Sequence, residues 1–309
     1  MRNNSNLHKA KKARADEFYT QYSDIQKEIQ NYNLEGKKIY CNCDDYRYSN
    51  FVKYFKDNFN KLKITYLTAS NYDIGECAYK YEYDGVEEKI TALKGNGDFR
   101  SEECVELLKE ADVVITNPPF SLFREYVALL MKYDKKFLII GNGNAVTYKE
   151  IFPLIKENKL WLGYNQSGHG NTMYFEVPND YKNERNLIVD GKVVAQVTAK
   201  WFTNINHNKC NKHLVLYKKY SEDEYKKFDN YDAINCDKVA DIPMDYDGVI
   251  CVPITFLDKF YTEQFEIVDA REVALNNKQR NKNTYLIKDA DSAINGKHTY
   301  ARIAIRAKK

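Results

Sequence analysis

Two hydrophobic rhythms alternate over the first half of the chain. Val113, Val114 and Ile115 form an unbroken β-branched run, the pattern of a strand buried on both faces. Leu122, Phe123, Tyr126, Val127, Leu130 and Met131 then recur at helical spacing behind Ser121, which is suited to cap a helix, and Phe137 to Ile140 form another strand-like run. The same alternation precedes this stretch. A polar helical segment at Ser23 to Asn33 is followed by a strand at Lys38 to Cys41. Next comes a helix at Ser49 to Phe59, with Phe51, Tyr54, Phe55 and Phe59 on one face, and then a strand at Ile64 to Thr68. A tyrosine-rich stretch, Asn71 to Gly85, is expected to be irregular, and Lys89 to Leu93 to be a strand. Gly95 to Phe99 reads as a loop; Ser101 caps the next helix, whose first turn carries Glu102 and Glu103 against the helix dipole. Strands separated by helical segments predict an α/β fold around a parallel sheet.

The second half changes character. Met173 to Val177, Trp201 to Ile205 and Leu214 to Tyr217 are strand candidates. Leu187 to Val189 and Val193 to Val197 flank Asp190-Gly191, a pair suited to a type I′ hairpin turn. From Tyr220 the chain is rich in Asn and Asp until an apolar run at Val249 to Leu257. No internal repeat is present.

The buried run at 113–115 stops at Asn117-Pro118-Pro119-Phe120. Consecutive prolines cannot extend a ladder, and a residue before proline is held extended, so the Asn117 side chain and the Pro118 carbonyl are restricted at the strand's C-terminal edge. That edge is where open α/β sheets bind ligands. An exocyclic amine such as adenine N6 is a poor nucleophile because its lone pair is delocalised. Two acceptors aimed at its hydrogens, the Asn117 side-chain oxygen and the Pro118 carbonyl, favour the tetrahedral form that attacks a methyl group. Phe120 offers a face on which a base pulled from a duplex can stack, worth about 1–3 kcal/mol. An ordinary strand-ending turn is the competing interpretation.

Composition narrows the class. The 309 residues contain no apolar run of membrane-spanning length, and Met1 to Arg14 lacks the apolar region of a signal peptide. Seven scattered cysteines suggest reduced thiols and a cytoplasmic protein. Arg2, Lys9, Lys11, Lys12 and Arg14 give residues 1–14 a charge of +5 with no acid, while the rest of the chain is close to neutral. Such an arm can grip phosphates, or simply be solvated.

Five separated motifs resemble one family: Asp-Glu-Phe-Tyr-Thr-Gln (16–21), Tyr-Cys-Asn-Cys-Asp-Asp (40–45), Gly-Asp-Phe-Arg-Ser (97–101), Thr-Asn-Pro-Pro-Phe-Ser-Leu-Phe (116–123) and Val-Pro-Ile-Thr-Phe-Leu (252–257). Together they resemble the EcoRI-type adenine-N6 DNA methyltransferases. The resemblance implies a Rossmann-like methyltransferase sheet with a C-terminal target-recognition region, S-adenosyl-L-methionine as methyl donor and double-stranded DNA as substrate. It implies an arm at 1–14, a cofactor-binding and catalytic core at 15–205 and target recognition at 206–309. Carried over by motif, Phe18, Tyr19 and Thr20 close over the cofactor. Cys41, Asn42, Cys43 and Asp44 occupy the loop after the first strand, where most methyltransferases have glycines that are missing here. Asp98 and Phe99 meet the cofactor's adenine ring, and Asn117, Pro118, Pro119 and Phe120 form the catalytic turn. The usual ribose-binding acid has no clear counterpart: Ser70 and Asn71 stand in its place, with Asp73 nearby. Cys41 and Cys43 also suit small buried positions, and Asp98 also suits a turn.

DNA contacts are expected from Lys9, Lys11, Lys12 and Arg14 in the arm, and from Asn165, His169, Lys209, Lys212 and Arg280 in loops with side chains suited to base edges or phosphates. The resemblance makes the hexamer GAATTC the first duplex to test; the residues themselves do not disclose the recognition sequence. His207, Cys210 and His213 lack a fourth nearby ligand, so no metal is expected. The expected setting is a monomer that either acts beside a cognate restriction endonuclease or works alone as an orphan relative, with no membrane partner. An RNA or protein-glutamine methyltransferase and an inactive DNA-binding module are the alternatives.

Overall fold

The computed structural model describes residues 19–73, 75, 77–165, 173–176, 186–189, 192–210, 212–280, 286–288 and 291–308. The chain divides into two compact units, Met1–Ala145 with Trp161–His207, and Val146–Leu160 with Asn208–Lys309.

The first unit is built on an eight-stranded sheet. Its heart is four parallel strands, β2 (Lys38–Asn42), β3 (Tyr66–Ser70), β6 (Val113–Thr116) and β7 (Lys136–Asn142), in the spatial order β3-β2-β6-β7. The helices between them are α1 (Tyr22–Ile29), which precedes β2, α2 (Asn50–Asp57), α3 (Glu102–Glu110) and α4 (Phe123–Lys132). Val113 to Thr116 are all buried, as a central strand covered on both faces requires. Ile39, Leu67, Ile115, Leu138 and Ile140 join Phe51, Phe55 and Trp201 in one hydrophobic cluster. This arrangement is the Rossmann-like α/β sheet expected from the sequence.

Both flanks of the sheet are antiparallel, which the sequence pattern does not announce. On one side β4 (Tyr79–Tyr83) and β5 (Glu88–Ala92) form a hairpin, with β4 paired to β3. The stretch expected to be irregular therefore contains a strand. Tyr79, Tyr81 and Tyr83 alternate with Lys80 and Glu82, and Tyr81 is buried and stacked on Tyr46 at 5.3 Å. β5 is exposed along its whole length, and its Glu88 and Lys89 suit an unpaired edge. On the other side β12 (Ala199–Thr203) pairs antiparallel with both β7 and β8 (Trp161–Leu162).

A second, four-stranded sheet in this unit combines β1 (Tyr19–Thr20), β9 (Met173–Glu176), β10 (Asn186–Val189) and β11 (Lys192–Val197), in the order β1-β9-β11-β10. The expected hairpin is present in β10 and β11, and its turn residues lie outside the described ones. Ser121 does not cap α4. It sits within a 3-10 turn, Phe120–Leu122, that the proline pair inserts before the helix.

In the second unit β13 (Ile234–Asn235), β14 (Ile250–Pro253), β15 (Phe265–Ile267) and β18 (Arg302–Ala307) form a sheet in the order β13-β14-β18-β15, beside a short hairpin of β16 (Ala293–Ile294) and β17 (Lys297–His298). Phe228, Tyr231, Val249, Cys251, Val268 and Ile287 fill its core. Leu214 to Tyr217 form no strand, contrary to expectation; Leu214 is fixed through its backbone by Gln264.

One buried carboxylate ties α1 to the chain after β8. Glu28 is fully buried and accepts hydrogen bonds from the Tyr32 hydroxyl at 2.7 Å and from the backbone amides of Tyr164 and Asn165 at 2.6 and 2.7 Å. Burial raises its pKa against the pull of these donors. Glu28→Ala leaves two amides without their acceptor and is expected to lower the unfolding free energy by about 2–3 kcal/mol. Urea denaturation measures this, and an unchanged midpoint would count against the tether.

Candidate active site

The site is assembled where parallel strands end side by side. Asn42 closes β2, Ser70 closes β3 and Thr116 closes β6, with Asn42 and Ser70 in direct register. Pro118 and Pro119 prevent β6 from going further. The Thr116 hydroxyl lies within hydrogen-bond distance of the Asn42 carbonyl and, at 2.5 Å, of Asp44 Oδ2. The Ser49 hydroxyl donates to Asp44 Oδ1 at 2.6 Å while accepting from the amides of Phe51 and Val52 as the cap of α2. The Asp44 amide donates to the Ser70 carbonyl at 2.9 Å. Burial pushes the Asp44 carboxyl up to about 7, despite the two hydroxyls that favour its charge.

Missing glycines do not prevent the turn after β2. Cys43 takes φ +66°, the left-handed conformation that glycine adopts most easily. Asn42 is buried and its Oδ1 accepts from Ser70 Oγ at 3.3 Å; Ser70 Oγ in turn lies 2.7 Å from the Tyr40 hydroxyl. Asn71 Oδ1 accepts from the Tyr79 amide at 2.7 Å. The loop before α3 passes against this corner at Gly97, which has φ +73° and where a Cβ would stand 1.9 Å from the Asn71 carbonyl oxygen.

Asp98 and Phe99 follow directly. The Asp98 carboxylate is held by Arg100 in a two-pronged pair, at 2.9 Å from Nε and 2.7 Å from Nη2, which lowers its pKa. Arg100 also reaches Glu125 at 2.8 Å. Phe99 is buried edge-on to Tyr126 of α4, with ring centres 5.0 Å apart. Asp98 therefore serves a local ion pair as well as any ligand.

Asn117, Pro119 and Phe120 are half-buried, and Pro118 is buried. Phe120 lies edge-on to Phe175 of β9 at 6.5 Å. Phe175 is the register partner of Thr20 in β1, so the small sheet brings β1 to the proline turn. Asn50 Nδ2 donates to the Thr20 carbonyl at 2.8 Å. Thr20 Oγ1 is buried with no hydrogen-bond partner among the described residues, a donor that fits a ligand closing against this element.

The structure thus gathers Thr20, Cys41, Asn42, Cys43, Asp44 and residues 117–120 around one sheet edge, with Asp98 and Phe99 on the adjoining loop. Asn165 is tied back to α1, its Nδ2 donating to the Lys27 carbonyl at 2.7 Å. Lys209, Lys212 and Arg280 belong to the second unit and are exposed. Phe18, Lys9, Lys11, Lys12, Arg14 and His169 lie outside the described residues, as does the side chain of Tyr19. His207 is buried against the Leu162 carbonyl at 2.9 Å, and no metal-holding cluster occurs among the described residues. Thr116, Ser49 and Phe175 escaped sequence reasoning as parts of the site. Thr116 borders the proline turn and Ser49 is a visible cap, whereas nothing local to Phe175 announces its partner.

A family model described as adenine-specific methyltransferase EcoRI matches residues 6–308. The chain belongs to that family. It is an adenine-specific DNA methyltransferase whose methyl donor is S-adenosyl-L-methionine. It is 45% identical to the Type II methyltransferase M.EcoRI of Escherichia coli, over 99% of this chain and 97% of that one. It is 40% identical to the Type II methyltransferase M.MpnI of Mycoplasma pneumoniae, over 85% of each chain. No solved structure matches. No helix among the described residues is long and apolar enough to cross a membrane.

Gly97→Ala is expected to strain a left-handed backbone by about 1–2 kcal/mol and to force the loop away from Asn71. A lower melting temperature together with weaker S-adenosylmethionine binding by calorimetry is the expected outcome; wild-type values for both would show that the close approach does not matter.

Proposed function

We propose that this methyltransferase acts on the N6 amine of an adenine flipped out of double-stranded DNA, at one recognition sequence, with the turn at 117–120 as its catalytic element. The observation that carries this reading is the setting of that turn. It leaves a buried strand at the ligand-binding edge of the sheet, its Thr116 base is anchored to the loop after β2, and among the described residues the Pro118 carbonyl accepts no hydrogen bond.

S-adenosylmethionine supplies the electrophilic methyl group. Thr20, Cys41 and Asn42 at the end of β2, Cys43 and Asp44 in the turn that follows, Asp98 and Phe99 are the residues that would hold it. Asn117 Oδ1 and the Pro118 carbonyl accept the two N6 hydrogens and draw the amine toward the tetrahedral geometry from which its lone pair attacks. Phe120 supports the extruded base, offsetting part of the few kcal/mol that flipping costs. The second unit, with Lys209, Lys212 and Arg280, is assigned target recognition, and the basic arm at 1–14 phosphate binding. The chain works as a cytoplasmic monomer in a restriction–modification setting beside a cognate endonuclease.

Asn117→Ala is expected to lose about 3–4 kcal/mol of transition-state stabilisation, by analogy with deleting one preorganised hydrogen-bonding group. Single-turnover methyl transfer measures this, and near-normal turnover would remove Asn117 from the mechanism. Deleting residues 1–14 is expected to flatten the dependence of DNA affinity on salt concentration. An unchanged slope in a binding titration would leave the arm no role in phosphate contact.

A further inference from the structure

The contacts around Asp44 contain a problem in proton counting. The Thr116 hydroxyl has one hydrogen, yet its oxygen lies within bonding distance of two acceptors, the Asn42 carbonyl and Asp44 Oδ2. If Asp44 is a carboxylate, one of these buried oxygen–oxygen contacts has no hydrogen in it. If Asp44 carries the proton, every contact is satisfied in sequence: Ser49 donates to Asp44 Oδ1, Asp44 Oδ2 donates to Thr116, and Thr116 donates to the Asn42 carbonyl.

We propose that Asp44 is a positioning residue that works as a neutral carboxylic acid, the middle member of a hydrogen-bond chain that runs from the cap of α2 to the base of the catalytic turn. This rests on the reading of residues 117–120 as the catalytic turn. Asp44 then acts through Thr116, which precedes Asn117, and not as a negative charge toward the cofactor.

Its surroundings agree. The residue is 9% exposed, and among the described residues no lysine or arginine pairs with it. The titratable groups facing it are Asp45, whose carboxylate is held by Arg47 at 2.6 Å, and Cys41, Cys43 and Tyr126. Burial pushes Cys41 and Tyr126 well above their ordinary values, so neither supplies a charge. Burial likewise moves Asp44 from 3.8 to about 7. A raised carboxyl pKa means that the folded state binds a proton which the unfolded state releases. Stability from this group is therefore present below about 4, falls as pH rises toward about 7 and is flat above that.

Asp44→Asn tests the chain because an amide reproduces the neutral acid: its NH2 donates to Thr116 and its oxygen accepts from Ser49. Asp44→Ala takes from the Ser49 hydroxyl its acceptor and from the Thr116 oxygen its donor, so the chain is cut in the middle. Methyl transfer to DNA is expected to fall at least about tenfold further in D44A than in D44N. Wild type is expected to lose stability relative to D44N between pH 4 and 7 in urea titrations. The infrared difference between wild type and D44N at pH 6 is expected to contain the C=O stretch of a protonated carboxyl. Loss of transfer in D44N as deep as in D44A, or absence of that band, would overturn the proposal. If D44A does not fold, the infrared and stability comparisons of D44N with wild type still decide it. If wild type itself transfers no methyl group to DNA, the functional reading fails while the infrared result still reports the state of Asp44.

Discussion

The hydroxyl of Thr116 is the point on which the site depends. It ends β6, touches the last residue of β2 and the carboxyl two residues further on, and is followed at once by the asparagine and prolines of the turn at 117–120. Two strands that pair in parallel at Ile39 and Tyr40 with Val113 and Val114 are thereby joined again beyond the point where their ladder stops. In the catalytic role proposed for it, this turn gains from having its base fixed before substrate arrives, because preorganised groups need no reorganisation during the reaction. Everything around Thr116 serves that fixity: Ser49 through the cap of α2, Ser70 through the Asp44 amide, and the covered strand beneath.

The small sheet adds the other side. β1 carries Thr20 to Phe175, and Phe175 meets Phe120. The N-terminal element and the proline turn are distant in sequence, yet they share a surface because β9 is inserted between β8 and β12. Glu28, at the end of α1, fixes the start of the same insertion. A local sheet therefore ties Thr20 to the edge of the main sheet where the proline turn lies.

Much of the parallel centre was legible because buried parallel strands are β-branched runs and their helices keep one apolar face. The 113–115 run, the strand before Asn42 and the helix after the proline turn all declared themselves in this way. The hairpin of β4 and β5 did not. Its alternating tyrosines carry a strand's period, but Asn, Asp and Gly on either side disguised it as a loop, and only Tyr81 is buried. The antiparallel flanks depend on which distant strands pair, which local pattern does not encode. Within the site, the proline turn and the loop after β2 were recognisable as motifs. The bond between Thr116 and Asp44 was not, because it joins residues 72 apart in sequence. Nor does local sequence show that the Asn165 amide donates to the Lys27 carbonyl, since that bond joins residues 138 apart.

The most direct test of the account is transfer of a labelled methyl group from S-adenosylmethionine to unmethylated duplex DNA, followed by base-resolution mapping of N6-methyladenine. The expected result is label confined to N6 of adenine within one short sequence motif. Label at another atom, label spread over adenines without sequence context, or tight binding of duplex DNA with no transfer would contradict it.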